Sequence, residues 1–220
     1  RNSVALARKA ANEVEGILSK PRKHALKRDA EKILTTGEKT RISELLAELV
    51  RSGTAFHHAG LGGGHRRLIE DSFRQGKIKV VTATPTLAFG VNLPARTVVI
   101  QDYKRYEPGY GYYPISVLEY KQMAGRAGRP KYDKVGEAIL LAKTADEADY
   151  LMESYILARP ERIWSRLAVE RILRSHVLAT IAADFAHTER GIYDFFGRTF
   201  YAYQYDIKAI KSVMAKILKY

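Results

Sequence analysis

TAFHHAGLGGGHRRLIEDSFRQGKIKVVTA, residues 54–83, decides the architecture. Its ends, TAFHH and IKVVTA, read as short strands, and between them lie a glycine-rich loop, AGLGGG, and a helix over 65–75. Strand, helix and strand in that order build a parallel pair, because the helix carries the chain back to the edge where it started. The alternation continues outward. TPTLAFG (84–90) reads as a loop and helical turn, and TVVIQDY (97–103) as a strand. A helix from about Ser116 to Gly125 and a strand, EAILLA (137–142), complete the series. The expectation is an α/β layer with a mainly parallel sheet flanked by helices, its chemistry on loops at the carboxyl ends of the strands.

Upstream, Val4, Ala7, Ala11, Val14 and Leu18 repeat at helical spacing before Pro21. The basic segment from Lys20 to Lys32 has only a thin apolar stripe, Leu26, Ala30 and Ile33, and is expected to ride on the surface. Ile42, Leu45, Leu46, Leu49 and Val50 predict an amphipathic helix that stops at Gly53, where a left-handed residue is favoured. Beyond Ala158-Arg159-Pro160 the strand signal fades. Helices are expected over Ile163–Phe185, from a Thr188 cap to Gly197, and over Ile207–Leu218. The chain therefore divides, by expectation, into residues 1–158 and a small, mostly α-helical domain over 159–220.

Lysine and arginine total 37 against 24 acidic residues, a formal net charge of +13, which favours a polyanionic partner, nucleic acid before an acidic membrane surface. No apolar run approaches the about 18 residues that span a bilayer, and RNSVALARKAANEVEG lacks the apolar core of a secretory signal. A cytoplasmic protein without a membrane partner is expected. Zero cysteines exclude disulfides, thiolate metal sites and cysteine nucleophiles.

QMAGRAGRP (122–130) holds Arg126 and Arg129 one helical turn apart, each preceded by glycine. Arginine keeps its charge and presents a planar fork of donors, so an R-x-x-R pair can grip a polyphosphate twice, while the glycines let another surface approach. Taken alone, the same residues read more plainly as a solvated basic face at a helix end, because such pairs are frequent on helices. Three segments in order change that reading: TAFHHAGL (54–61), VVTATPTLAFGVNLPA (80–95) and QMAGRAGRP.

With these segments the chain resembles the second motor domain of superfamily 2 helicases, in the branch of the Ski-like RNA helicases and the archaeal Hjm DNA helicases. It stands nearer the latter, because SRLAVERILRSHVLATIAADFAHT (165–188) and FFGRTFYAYQYD (195–206) look like their winged-helix domain. The resemblance implies a RecA-like fold that supplies one wall of an ATP cleft, with VVTATPTLAFGVNLPA (80–95) as the family's fifth motif and QMAGRAGRP (122–130) as its sixth. Arg129 looks like the arginine finger, Arg126 like its companion on the γ-phosphate, and Gln122 like a residue lining the cleft. Thr84 resembles the threonine that binds a backbone phosphate of the tracked strand, with Thr82 as a weaker counterpart, and Gly90 and Asn92 resemble the part that faces the nucleotide. The apolar residues around them, Val80, Val81, Leu87, Phe89, Val91 and Leu93, are expected to pack in the core.

Adjacent strand histidines point to opposite faces, so His57 and His58 do not chelate one metal, and no metal site is expected here. The resemblance assigns His58, Gly60 and Leu61 to the nucleic-acid track; on the residues alone, one buried and one exposed histidine is an equal reading. AGLGGG resembles a phosphate loop, but no GK[ST] follows it. DYKRYEPGYGYYPIS (102–116) reads as a hairpin turning at Pro108 and Gly109. Lys104 and Arg105 there suit phosphates, and Tyr106, Tyr110, Tyr112 and Tyr113 suit base stacking. In the family a hairpin at this place splits the duplex. Arg162, Arg166, Arg171, Arg174 and His176 recur along the expected long helix, where a solvated face is the plainer reading.

The sequence contains neither G-x-x-x-x-G-K-[ST] nor a D-E-x-H box. The resemblance therefore implies an excised, by itself inactive piece of an ATP-dependent DNA helicase that acts as a monomer. ATP and Mg²⁺ would be held mainly by a missing first RecA-like domain. Single-stranded and forked DNA are the expected partners. A Ski-like RNA helicase fragment and a non-catalytic nucleic-acid-binding module are the alternatives.

Overall fold

The computed structural model describes residues 2–85, 87, 93–107, 109–129, 133–205 and 208–219. They form two compact units, residues 1–160 and 161–220.

The first unit opens with α1 (Asn2–Glu15), α2 (Lys20–Thr35) and α3 (Arg41–Arg51). The start of α3 is set by a capping box: Ser43 N donates to Thr40 Oγ1 at 3.1 Å, and Thr40 N donates to Ser43 Oγ at 2.8 Å. Its end is set by Gly53 at φ +77°, where a Cβ would also press on Val14 and Leu18 of the α1 region at 3.0–3.1 Å. Ile42, expected on the apolar face, is instead half exposed, and Ser43 and Ala47 take buried positions. The basic α2 lies on the surface as expected, Lys20, Lys23, Lys27, Arg28 and Lys32 exposed, and packs by its thin stripe. Leu26, Ala30 and Ile33 are fully covered, and Asp29 is buried with them, accepting from Ser72 Oγ at 2.8 Å and Lys77 Nζ at 3.0 Å. A charge enters this core because two donors from the far side of the fold meet it.

Next come β1 (Thr54–His57), α4 (Gly63–Arg74) and β2 (Val80–Ala83); β1 and β2 pair in parallel, Thr54 opposite Val80 and His57 opposite Ala83. The strand–helix–strand reading of 54–83 therefore holds. This ladder and α1–α4 enclose one apolar cluster around Phe56, Leu46, Ile69 and Ile33.

The rest of the unit is β3 (Thr97–Ile100), β4 (Lys104–Glu107), β5 (Gly111–Pro114), α5 (Val117–Ala124), β6 (Glu137–Leu140) and α6 (Ala145–Leu151), which runs into a π-helical turn, Met152–Ile156. β3 and β6 pair in parallel, β4 and β5 antiparallel. Instead of one continuous sheet, the described residues show separate two-stranded ladders. The physical correlate is a second apolar cluster, Ile100, Tyr103, Ile115, Tyr120, Leu151 and Tyr155, that supports β3 and β6 on its own.

The second unit contains α7 (Glu170–Ala182), α8 (Glu189–Phe196), α9 (Phe200–Gln204) and α10 (Lys208–Ile217) around Leu173, Val177, Phe196, Ile210 and Met214. Thr188 caps α8 and Gly197 ends it, as the sequence predicts. The helix expected from Ile163 begins only at Glu170. Gln204 takes the backbone groups that helix would have used: its Nε2 donates to Ile163 O at 2.6 Å and its Oε1 accepts from Ser165 N at 2.8 Å. α7 also ends before Phe185. Asp184, at φ +64°, supplies the left-handed step, and Phe185 N and Asp184 N donate back to Thr180 O and Ile181 O, a Schellman stop. Among the described residues no helix is long and apolar enough to cross a membrane.

Candidate functional site

The sixth-motif stretch starts on α5, whose N-cap Ser116 accepts from Glu119 N at 3.1 Å. Gln122 is exposed on the last turn of this helix, and Arg126 follows one turn later, half buried. The backbone then leaves the helix and is clamped. Ala95 N donates to Arg126 O at 3.0 Å, and Gly128 N donates to Ala95 O at 2.7 Å. Gly128 sits at φ +90°, and a Cβ on Gly136 would lie 2.3 Å from Gly128 N. The surface that the glycines admit is therefore the chain's own backbone, and it aligns the sixth motif with the end of the fifth.

Arg129 is held by Asp133. Its Nε and Nη2 donate to the two oxygens of Asp133 at 2.7 and 2.8 Å, and its backbone N donates to Asp133 Oδ2 at 3.0 Å. The hydrogen bond from Arg129, ahead of every other cause, holds the Asp133 carboxyl at about 2, with the Arg96 charge adding to it. Burial, then the charges of Arg22 and Arg129, push the Lys79 ammonium below its ordinary value. Arg129 thus lies in a basic neighbourhood, in which an anion lowers the mutual repulsion.

Thr84 is exposed at the end of β2, its N–H donating to His57 O at 3.2 Å. Thr82 is less available: its hydroxyl donates to Ser3 O at 2.6 Å, so the one hydroxyl proton a phosphate would need serves the fold. Gly90 and Asn92, together with Phe89 and Val91, lie outside the described residues. Leu93 is buried as expected, and Val80 and Val81 pack partly against the first cluster.

The two histidines part as adjacent strand residues do. His57 is buried, Nε2 at 3.0 Å from Glu70 Oε1, with no hydrogen-bond partner for Nδ1. His58 stacks on Phe56 with ring centroids 5.5 Å apart, and its Nδ1 accepts from the exposed Gly60 N at 3.1 Å. Burial lowers the pKa of His58, so the ring leans towards the neutral form that can accept this bond. Leu61, placed on the nucleic-acid track by resemblance, is instead 4% exposed, an apolar side chain drawn into the core.

The hairpin forms in register, Lys104 opposite Pro114 and Tyr106 opposite Tyr112. Pro108 lies outside the described residues; Gly109 is at φ +88°. Tyr106, Tyr110, Tyr112 and Tyr113 are all exposed, Tyr110 most, at 83%. Tyr106 and Tyr112 meet edge to face at 5.7 Å. Lys104 is exposed and lies over the Tyr103 ring at 5.0 Å. Arg105 is committed elsewhere: its Nη1 bonds both oxygens of the buried Glu119.

In the second unit, Arg162 and Arg166 precede α7 rather than lying on it, Arg174 pairs with Glu170 at 2.7 Å, and Arg166 and His176 line a groove of about 520 Å³. Sequence reasoning missed Asp133 and Glu119. The only local signal for Asp133 was its i+4 spacing from Arg129.

The sequence profile of the family described as "Helicase conserved C-terminal domain" matches residues 16–131. The chain is 50% identical over 204 residues to "ATP-dependent DNA helicase Hel308" of Methanocella arvoryzae, covering 93% of this chain and 27% of that protein. It is 46% identical over 204 residues to the protein of the same name from Pyrococcus horikoshii (93% and 28%), and 42% identical over 214 residues to that from Caldivirga maquilingensis (96% and 28%). The chain thus spans a little over a quarter of the length of these curated relatives. Because the profile covers more than half of its residues, from the turn after α1 through the two arginines, the chain belongs to the helicase conserved C-terminal domain family.

Proposed function

We propose that this chain is the second motor domain (residues 1–158) and part of the winged-helix domain (159–220) of an ATP-dependent DNA helicase. It works in the cytoplasm as a monomer on single-stranded and forked DNA. The observation that carries this reading is the backbone clamp between Ala95 and residues 126–128, which brings the end of the fifth motif beside the two arginines. A pure binding module has no need of that alignment. The names of the relatives favour DNA over RNA.

In this reading Arg129 stabilises the charge on the transferring phosphoryl group, Arg126 accompanies it, and Gln122 lines the cleft beside Gly90 and Asn92. The two arginines carry donors only, which fits the phosphate end of ATP. Mg²⁺ would be held mainly by the first motor domain. Thr84 takes a phosphate of the tracked strand, with His58, Gly60 and Lys104 along the same path and the hairpin tyrosines at the fork.

The test supplies the first motor domain in the same polypeptide. Arg129→Ala should lower DNA-stimulated ATP turnover by about 10³-fold or more, and Arg126→Ala should also lower it severely. Unchanged turnover in both would sink the reading.

A further inference from the structure

Asp133 has no role in the reading above, yet it is the residue to which Arg129 is tied. Four hydrogen bonds join the two: three into the carboxylate from Nε, Nη2 and N of Arg129, and one back from Asp133 N to Arg129 O at 3.0 Å. Only 7% of the Asp133 side chain is exposed, against 44% of Arg129. An ordinary exposed i,i+4 pair exchanges partners freely and contributes little. Here the carboxylate is covered and the contact is made in both directions, so the pair defines one arrangement.

We propose that Asp133 is the positioning residue of the arginine finger, seating the guanidinium of Arg129 through its Nε–Nη2 edge in the one arrangement from which it meets a transferring phosphoryl group. This rests on reading Arg129 as that finger. A free arginine side chain carries rotamer entropy, which is lost if it must be ordered as the phosphoryl group transfers. One already seated loses less, and its charge does its work without reorganisation. The cost is a carboxylate near a polyanion. Arg129 neutralises it, and Arg96 and Lys79 keep the neighbourhood basic. The opposite role, a latch that competes with phosphate for Arg129, predicts the opposite sign: removing the carboxylate would then raise turnover or tighten ATP binding.

The experiment uses the full-length helicase that carries this chain and measures kcat and KM for ATP with single-stranded DNA present. Asp133→Asn should lower kcat about 10- to 100-fold, the scale of a misplaced catalytic group, and leave KM within about threefold. Asp133→Glu should recover most of the loss. Adding Asp133→Asn to Arg129→Ala should lower kcat no further, because the two act as one unit. If Asp133→Asn does not fold, Asp133→Ser is judged by the same criteria. An unchanged or raised kcat in a folded variant, with Arg129→Ala impaired, overturns the positioning role alone. An unimpaired Arg129→Ala overturns the reading of the site itself.

Discussion

Nη1 of Arg105, on the first strand of the hairpin, stands 3.2 and 3.1 Å from the two carboxylate oxygens of Glu119, on the first turn of α5. Glu119 is buried and Arg105 about half exposed. The hairpin is thereby joined by an ion pair to the helix that carries Gln122 and leads into Arg126.

If the hairpin parts strands while the sixth motif senses ATP, breaking this pair should uncouple the two. Arg105→Ala and Glu119→Gln in the full-length helicase should each lower unwinding about fivefold while DNA-stimulated ATPase stays within about twofold, and the double variant should be no worse. Glu119 is buried, so Arg105→Ala leaves its carboxylate without this donor and should cost about 1–3 kcal/mol of stability. Parallel loss of both activities would count against coupling.

Tyr110 makes the cleanest test of the hairpin tip, since at 83% exposure it contributes little to folding. Stacking on a base contributes about 1–3 kcal/mol, so Tyr110→Ala should weaken forked-DNA binding roughly tenfold with an unchanged melting temperature. Affinity equal to that of the unaltered protein would remove Tyr110 from the fork.

Gly136→Ala places a Cβ 2.3 Å from Gly128 N and 2.4 Å from Ala127 C, backbone atoms that cannot swing aside. It should cost about 3 kcal/mol, a drop of roughly 10 °C in melting temperature. Gly16→Ala, with nothing within 4 Å of the added Cβ, is the control. Equal effects at the two positions would mean that the clamp is looser than its geometry.

Asp133 also predicts an acid dependence. Arg129 and Arg96 hold its carboxyl at about 2, below the ordinary 3.8. A depressed carboxylate stabilises the folded state fully above its unfolded pKa and loses that effect as pH falls through the folded one. The melting-temperature gap between the unaltered protein and Asp133→Asn should hold steady from pH 7 to about 4 and close towards pH 2. A gap unchanged at pH 2 would show that the ionised carboxylate contributes nothing.

The strand–helix–strand unit at 54–83, the helix stops at Gly53 and Gly197, the cap at Thr188, the helix beginning about Ser116 and the exposed hairpin were determined by sequence alone. Periodicity, caps and turn residues act over a few neighbouring positions, so they can be read along the chain. The two arginines in their glycine frame were legible too, through resemblance to a family. Tertiary structure alone decided that Leu61 is core, that Asp29 enters it, that Thr82 serves Ser3 across 79 residues and that Gln204 unwinds the expected helix at Ile163 across 41. It also decided which carboxylates Arg105 and Arg129 hold. Such pairings depend on which surfaces the topology brings together, and a buried polar group takes whatever partner it finds there, because leaving it unpaired costs more than local propensity returns.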